Sequence, residues 1–235
     1  MTNMLLAVVV GLTAGAALRP AVVALAIPAG RPADCPACSP RPAGPTVLRL
    51  LSSGCENCRG QLLDAPWWLP PAATAAAFAA VAAGDATGWY AAAQYWIAFL
   101  GTALLLVDSA VQRLPDALTA PAAVGTLVLL AGAAAEGEPG SLPRAVAVAV
   151  AAGVLFTAFA LGSMGLGDAK LAVSLGALLG WRSWQAAWAG LVLAFTLGAL
   201  FAVFLLLVQR RSRKSTLALG PALIIGTLAV LATGP

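Results

Sequence analysis

The sequence predicts an all-α polytopic integral membrane protein with about eight transmembrane helices and a small cytoplasmic loop carrying four cysteines. Three observations predict it. Of 235 residues, 61% are hydrophobic and only 9% are charged, where a soluble domain averages about 25% charged. The apolar residues fall in runs long enough to cross a bilayer, spread over the whole chain. The basic residues collect in alternate connections between those runs. No polar stretch exceeds about forty residues, which excludes a large soluble domain.

The runs lie near 4–27, 66–83, 88–107, 117–135, 144–162, 167–181, 186–208 and 216–233. Most match the roughly 18 to 22 residues that an apolar helix needs to span. The first, "MLLAVVVGLTAGAALRPAVVALAI", has no basic residues ahead of it and is expected to be a retained span rather than a cleaved signal peptide. The chain then divides into a first span (1–27), a cysteine-bearing loop (28–65) and a multi-span domain (66–235). Ala- and Gly-rich faces in these spans suit close helix packing in lipid.

Orientation follows from charge. Arg31, Arg41, Arg49, Arg59, Arg113, Lys170, Arg210, Arg211, Arg213 and Lys214 are ten of the thirteen basic residues, and with eight spans they share one side. The opposite connections hold Asp85, Glu136 and Glu138, with Arg144 and Arg182. The basic side is cytoplasmic by the positive-inside rule, so both termini are expected outside. The net charge of +4 is accounted for by this asymmetry, and no nucleic-acid partner is expected.

The chain has no histidine. That removes Ser-His-Asp and Cys-His catalysis and histidine-held metals. Acid–base chemistry must then come from carboxylates, Lys, Cys or Tyr. Asp108 ends the third span and Asp168 opens the sixth, so the topology puts both at the cytoplasmic face. An acid in a membrane segment is expensive and usually faces a bundle interior or a water-filled cavity. Two close carboxylates resist joint ionisation and share one proton, an arrangement that can activate water without histidine or metal. The plainer reading leaves both acids solvated at headgroup level. Asp116 fits that plainer reading, as an N-cap of the fourth span beside Pro115. Gly165 and Gly167 flank Asp168 and suggest an irregular backbone that approaches another chain. Lys170 is two positions from Asp168, on nearly the opposite helix face, so those two are not expected to pair. It would snorkel to the headgroups, or act electrostatically if the backbone there were unwound.

Cys35, Cys38, Cys55 and Cys58 form "CPAC" and "CENC" with sixteen residues between the pairs. Two such knuckles match a four-thiolate structural zinc site. In a cytoplasmic loop with few apolar residues the metal would be the main organiser. The competing reading is a redox pair.

These motifs together resemble a known family. "GLGDAKL" (165–171) looks like the GxGD signature of the type IV prepilin peptidases. "VDSAVQRLPDALTAP" (107–121) looks like their second motif, an acid at a helix end followed by Leu-Pro-Asp and Thr-x-Pro. "LALGPALIIG" (217–226) is similar to their C-terminal Gly-Pro segment, with Leu219 where Phe is usual. The resemblance implies a membrane aspartic protease with Asp108 and Asp168 as the catalytic pair. Gly165, Gly167, Lys170, Pro115 and Asp116 would be supporting or substrate-binding residues. It further implies a bacterial inner-membrane location. The implied substrate is a prepilin or pseudopilin with a short basic leader and a hydrophobic helix, cleaved at the cytoplasmic face. Longer family members carry a similar tetracysteine loop and also methylate the new N-terminus with S-adenosylmethionine. The loop here departs from theirs: "SPRPAGPTVLRLLSSG" lacks the usual Asn-Ile-Pro and Trp elements, and "RGQLLDAPWWLPP" has no glutamate. Two alternatives use the same residues. A membrane thiol oxidoreductase would use the CxxC pairs and place the cysteines outside. A proton-coupled transporter would place the acids near mid-bilayer with internal pseudo-symmetry.

Overall fold

The computed structural model describes residues 2–25, 68–84, 86–111, 114–161, 165–208 and 219–233. They form eight helices: α1 (Thr2–Leu25), α2 (Leu69–Ala82), α3 (Gly88–Val111), α4 (Asp116–Ala135), α5 (Leu142–Ala160), α6 (Leu166–Arg182), α7 (Trp184–Val208) and α8 (Gly220–Thr233). Each stands where the sequence places an apolar run. Four of them contain segments long and apolar enough to cross a membrane: Gly88–Ser109, Asp116–Ala135, Leu142–Ala160 and Trp184–Phe204. The all-helical, membrane-protein character is therefore borne out. The tetracysteine loop lies outside the described residues.

Helix boundaries follow local chemistry. Pro70 and Pro71 open α2 and Pro143 opens α5, where a missing N–H costs nothing. Ser141 caps α5 by accepting from the Arg144 amide at 3.4 Å. Gly137, at φ +71°, reverses the chain after α4. Within α4, Pro121 is tolerated at the side of α3. Its carbonyl accepts from Trp96 Nε1 at 3.0 Å, and the Trp96 indole occupies the space a side chain at Gly125 would need.

Two helices form the middle of the bundle. α3 packs against α1, α2, α4 and α8; α6 packs most closely against α5 and α4, and also against α7 and α8. Small residues allow these approaches, as is common between membrane helices. A methyl at Gly11 would sit 2.6 Å from Ala75 Cα of α2, and one at Gly180 would sit 2.7 Å from Val148 Cβ of α5. The buried core gathers Ile97, Leu104, Leu130, Phe156, Leu171, Leu178, Trp181, Ile224 and Leu231. Outward faces are apolar too: Val124, Val128, Val150, Val154, Val192, Leu200 and Phe201 are all exposed. Apolar residues facing both inward and outward suit a bundle whose solvent is lipid.

Candidate active site

The site forms where three helices meet at one end of the bundle. Asp108 lies in the last turn of α3, and Asp168 is the third residue of α6. α3 and α6 run in opposite senses, because α4 and α5 intervene as a down-and-back pair, so the end of one meets the start of the other. Gly220 opens α8 at the same level. Both carboxylates are buried, at 4% and 6% exposure.

Gly220 measures how near they are. A Cβ built on it would be 2.8 Å from Asp108 Oδ2 and 3.7 Å from Asp168 Oδ1. Both acids therefore border a single point in space, and the two oxygens are separated by no more than the sum of those distances. The backbone of α8 reaches them only because residue 220 has no side chain. Asp108 Oδ2 has no hydrogen-bond partner among the described residues. A buried carboxylate without a partner is unfavourable for stability, and such groups recur where a protein does chemistry. Paired carboxylates can carry acid–base chemistry in which one accepts a proton and the other donates one.

The flanking residues follow the sequence reading only in part. α6 begins at Leu166, so Gly167 and Asp168 already lie in a regular first turn, with Asp168 N donating to Gly165 O at 3.1 Å. Gly165 has an ordinary φ of −75°. The expected irregular backbone is thus replaced by a helix start, and Lys170 stands on helix rather than on unwound chain. Among the described residues the close approach occurs at Gly167, where a Cβ would be 2.7 Å from Leu114 Cβ.

Asp116 also departs from expectation. Pro115 is the N-cap residue of α4, in extended conformation and without a side-chain cap bond, and Asp116 is the first helical residue. Its Oδ1 accepts from Lys170 Nζ at 2.6 Å. The side chain reaches across to α6 instead of back to its own amides, because an opposite charge stands within reach. Both ends of this ion pair are well exposed. With the Leu114–Gly167 contact, it ties the segment after Asp108 to the turn that carries Asp168.

The sequence assigns Gly220 no role beyond its place in the Gly-Pro segment. The signal available was the Gly-Pro pair at the start of an apolar run. Leu219 packs its Cδ2 where Gly198 of α7 lacks a side chain, at 3.0 Å from the position of the missing Cβ, which seats the start of α8. Among the described residues no group of three or more Cys, Asp or Glu could hold a metal ion. Cys35, Cys38, Cys55 and Cys58 fall outside those residues.

The type IV leader peptidase family matches residues 95–207, a stretch that contains both aspartates. The chain is 32% identical over 188 residues to a prepilin leader peptidase/N-methyltransferase of Aeromonas hydrophila, covering 77% of this chain and 63% of the relative. A protein of the same name from Aeromonas salmonicida (strain A449) is also 32% identical over 188 residues, and one from Pseudomonas putida is 38% identical over 139 residues, covering 55% of this chain and 46% of the relative. The chain spans about three fifths of the length of the Aeromonas relatives it matches. No solved structure matches it. The stretch that carries Asp108 and Asp168 is thus similar to the type IV leader peptidase family.

Proposed function

We propose that the chain is a membrane-embedded aspartic endopeptidase that removes the leader from type IV prepilins or pseudopilins. The observation that carries this reading is the buried pair Asp108 and Asp168, facing one point beside the Gly220 backbone, within the segment that matches the leader peptidase family. The location we propose is the bacterial inner membrane, with both termini outside and the cysteine loop and active site at the cytoplasmic face. A substrate held in the bilayer by its own hydrophobic helix would meet the aspartates there, its basic leader on the cytoplasmic side.

The chemistry needs one proton on the pair. The ionised carboxylate takes a proton from a water, whose oxygen attacks the scissile carbonyl carbon and forms a tetrahedral oxyanion. The protonated partner gives its proton to the amide nitrogen, and the C–N bond breaks. The products are the leader's carboxyl terminus and the new amine of the pilin. The proton taken from water leaves one acid protonated and the other ionised, so the pair is ready for another turn. Burial serves this step by keeping the dipoles and the shared proton fixed in place.

Zinc at Cys35, Cys38, Cys55 and Cys58 is our reading of the cysteine loop; its role would be structural, and no catalytic step passes through it. The names of the relatives also include N-methyltransferase. That second reaction would draw its methyl group from S-adenosylmethionine, and product mass reads it directly. The thiol oxidoreductase and transporter readings are not favoured. The aspartates stand at helix ends, where a mid-bilayer relay would not put them.

The test is cleavage of a candidate prepilin co-expressed with this chain, wild type against Asp108→Asn and Asp168→Asn, followed by intact mass. Each single substitution is expected to abolish leader removal at unchanged expression. Cleavage that survives either one refutes the paired mechanism.

A further inference from the structure

At the opposite end of the bundle lies a second polar network that peptide hydrolysis does not use. It gathers around Glu138, in the connection between α4 and α5, and Arg144, in the first turn of α5. Glu138 Oε1 accepts from Trp89 N at 2.6 Å, and Oε2 accepts from Tyr90 N at 3.0 Å. Both amides belong to the first turn of α3, where the helix itself offers no acceptor. Gly88, at φ +65°, makes room: the position of its absent Cβ is taken by the Glu138 carboxylate.

Arg144 does the complementary work on α6. Its Nε donates to Gly180 O at 2.7 Å, and Nη2 donates to Trp181 O at 2.6 Å and to Arg182 O at 2.7 Å. These are carbonyls of the last turn, which lack intrahelical donors. Ser141 N adds a bond to Trp181 O at 3.1 Å. The signs also fit, an acid at a helix N-terminus and a base at a helix C-terminus. Trp181 closes the join: its indole covers Gly140, and its ring stands 6.2 Å from that of Tyr90.

The two helices gripped here are the two that carry the aspartates. Along their lengths they touch one another sparingly, and α4 and α8 make more of the contacts to each. A tie at this end, running through the start of α5, therefore bears on their relative height and tilt. We infer that Glu138 and Arg144 are positioning residues that fasten α3 to α6 and so set Asp108 opposite Asp168. The lever is long. Asp108 is about 28 Å from Trp89 at 1.5 Å per residue, so a tilt of about 3° moves it by about 1.5 Å. Its consequence for catalysis rests on the peptidase reading; the tie itself does not.

The experiment separates the two. Nitroxides are placed at Ser109 and Leu166, exposed residues at the aspartate ends of α3 and α6, through a ketone-bearing amino acid that leaves the cysteines intact. Distances are measured by pulsed electron resonance in wild type, Glu138→Gln, Arg144→Lys and the double variant Glu138→Gln/Arg144→Met. The double variant is expected to shift or broaden the distribution by about 1.5 Å or more. On a cleaved prepilin, kcat falls about tenfold or more with KM within about twofold, and Arg144→Lys recovers part of the loss. A merely local cap would instead speed amide exchange at Trp89 and Tyr90 and leave the distance unchanged. That outcome, in the double variant or in a folded Glu138→Gln, overturns the inference. If wild type cleaves no prepilin, the peptidase reading fails and the distance still decides the tie.

Discussion

Replacing Gly220 with alanine adds one methyl at the point both aspartates face. Its carbon would begin 2.8 Å from Asp108 Oδ2 and 3.4 Å from Asp108 Cγ, with Asp168 Oδ1 at 3.7 Å. Contact at 2.8 Å is not sustainable, so Asp108 or the start of α8 must retreat by roughly 0.6 Å to regain van der Waals separation. The residue is buried, and Leu219 seated over Gly198 limits how far α8 can withdraw. Overpacking of this kind typically costs about 1 to 3 kcal/mol. The effect on chemistry should be larger, because displacing a reacting group by around 1 Å can lower rate about 100-fold. We expect Gly220→Ala to fold, with a modestly lower melting temperature in detergent, and to process a co-expressed prepilin at least tenfold more slowly. Immunoblots of processed and unprocessed pilin over time measure it, normalised to folded enzyme. Wild-type processing by a folded Gly220→Ala protein would mean that the point beside Gly220 is not where the two acids act.

Three further outcomes are expected. Gly167→Ala should destabilise by about 1 to 3 kcal/mol, since its methyl meets Leu114 Cβ at 2.7 Å, whereas Gly165→Ala should be near neutral, with nothing nearer than 4.0 Å among the described residues; thermal unfolding in detergent compares them, and equal losses would contradict the packing. The Lys170–Asp116 pair is exposed at both ends, so a double-mutant cycle with Lys170→Met and Asp116→Asn should return about 1 kcal/mol of coupling or less; a coupling of several kcal/mol would show the pair to be shielded from water. Trp96→Phe removes the donor to Pro121 O and should cost about 1 kcal/mol, read from the same unfolding measurement, with no change expected in product mass.

The sequence by itself determined where the helices stand and which end of the bundle carries the acids. Apolar runs and their turn-forming boundaries are local properties, so α1 to α8 fall where the runs do. Asp108 and Asp168 share an end because two helices intervene, and an even number of crossings returns the chain to the side it left. Zinc-like spacing in the cysteine loop was equally plain, but spacing alone says nothing about what the described helices do. Tertiary structure decided how the site is assembled. The Lys170–Asp116 pair joins residues 54 apart, and nothing in either local pattern names the other as partner. Gly220 reads as an ordinary helix-opening glycine until α8 is seen to press its backbone against two carboxylates. Glu138 and Arg144 read as routine loop charges until they are seen to hold the far ends of α3 and α6. The physical reason is the same in each case. Periodicity specifies that a helix forms and roughly where it ends, whereas partners across the bundle depend on each helix's rotation, tilt and height, and those are settled only when all the helices pack together.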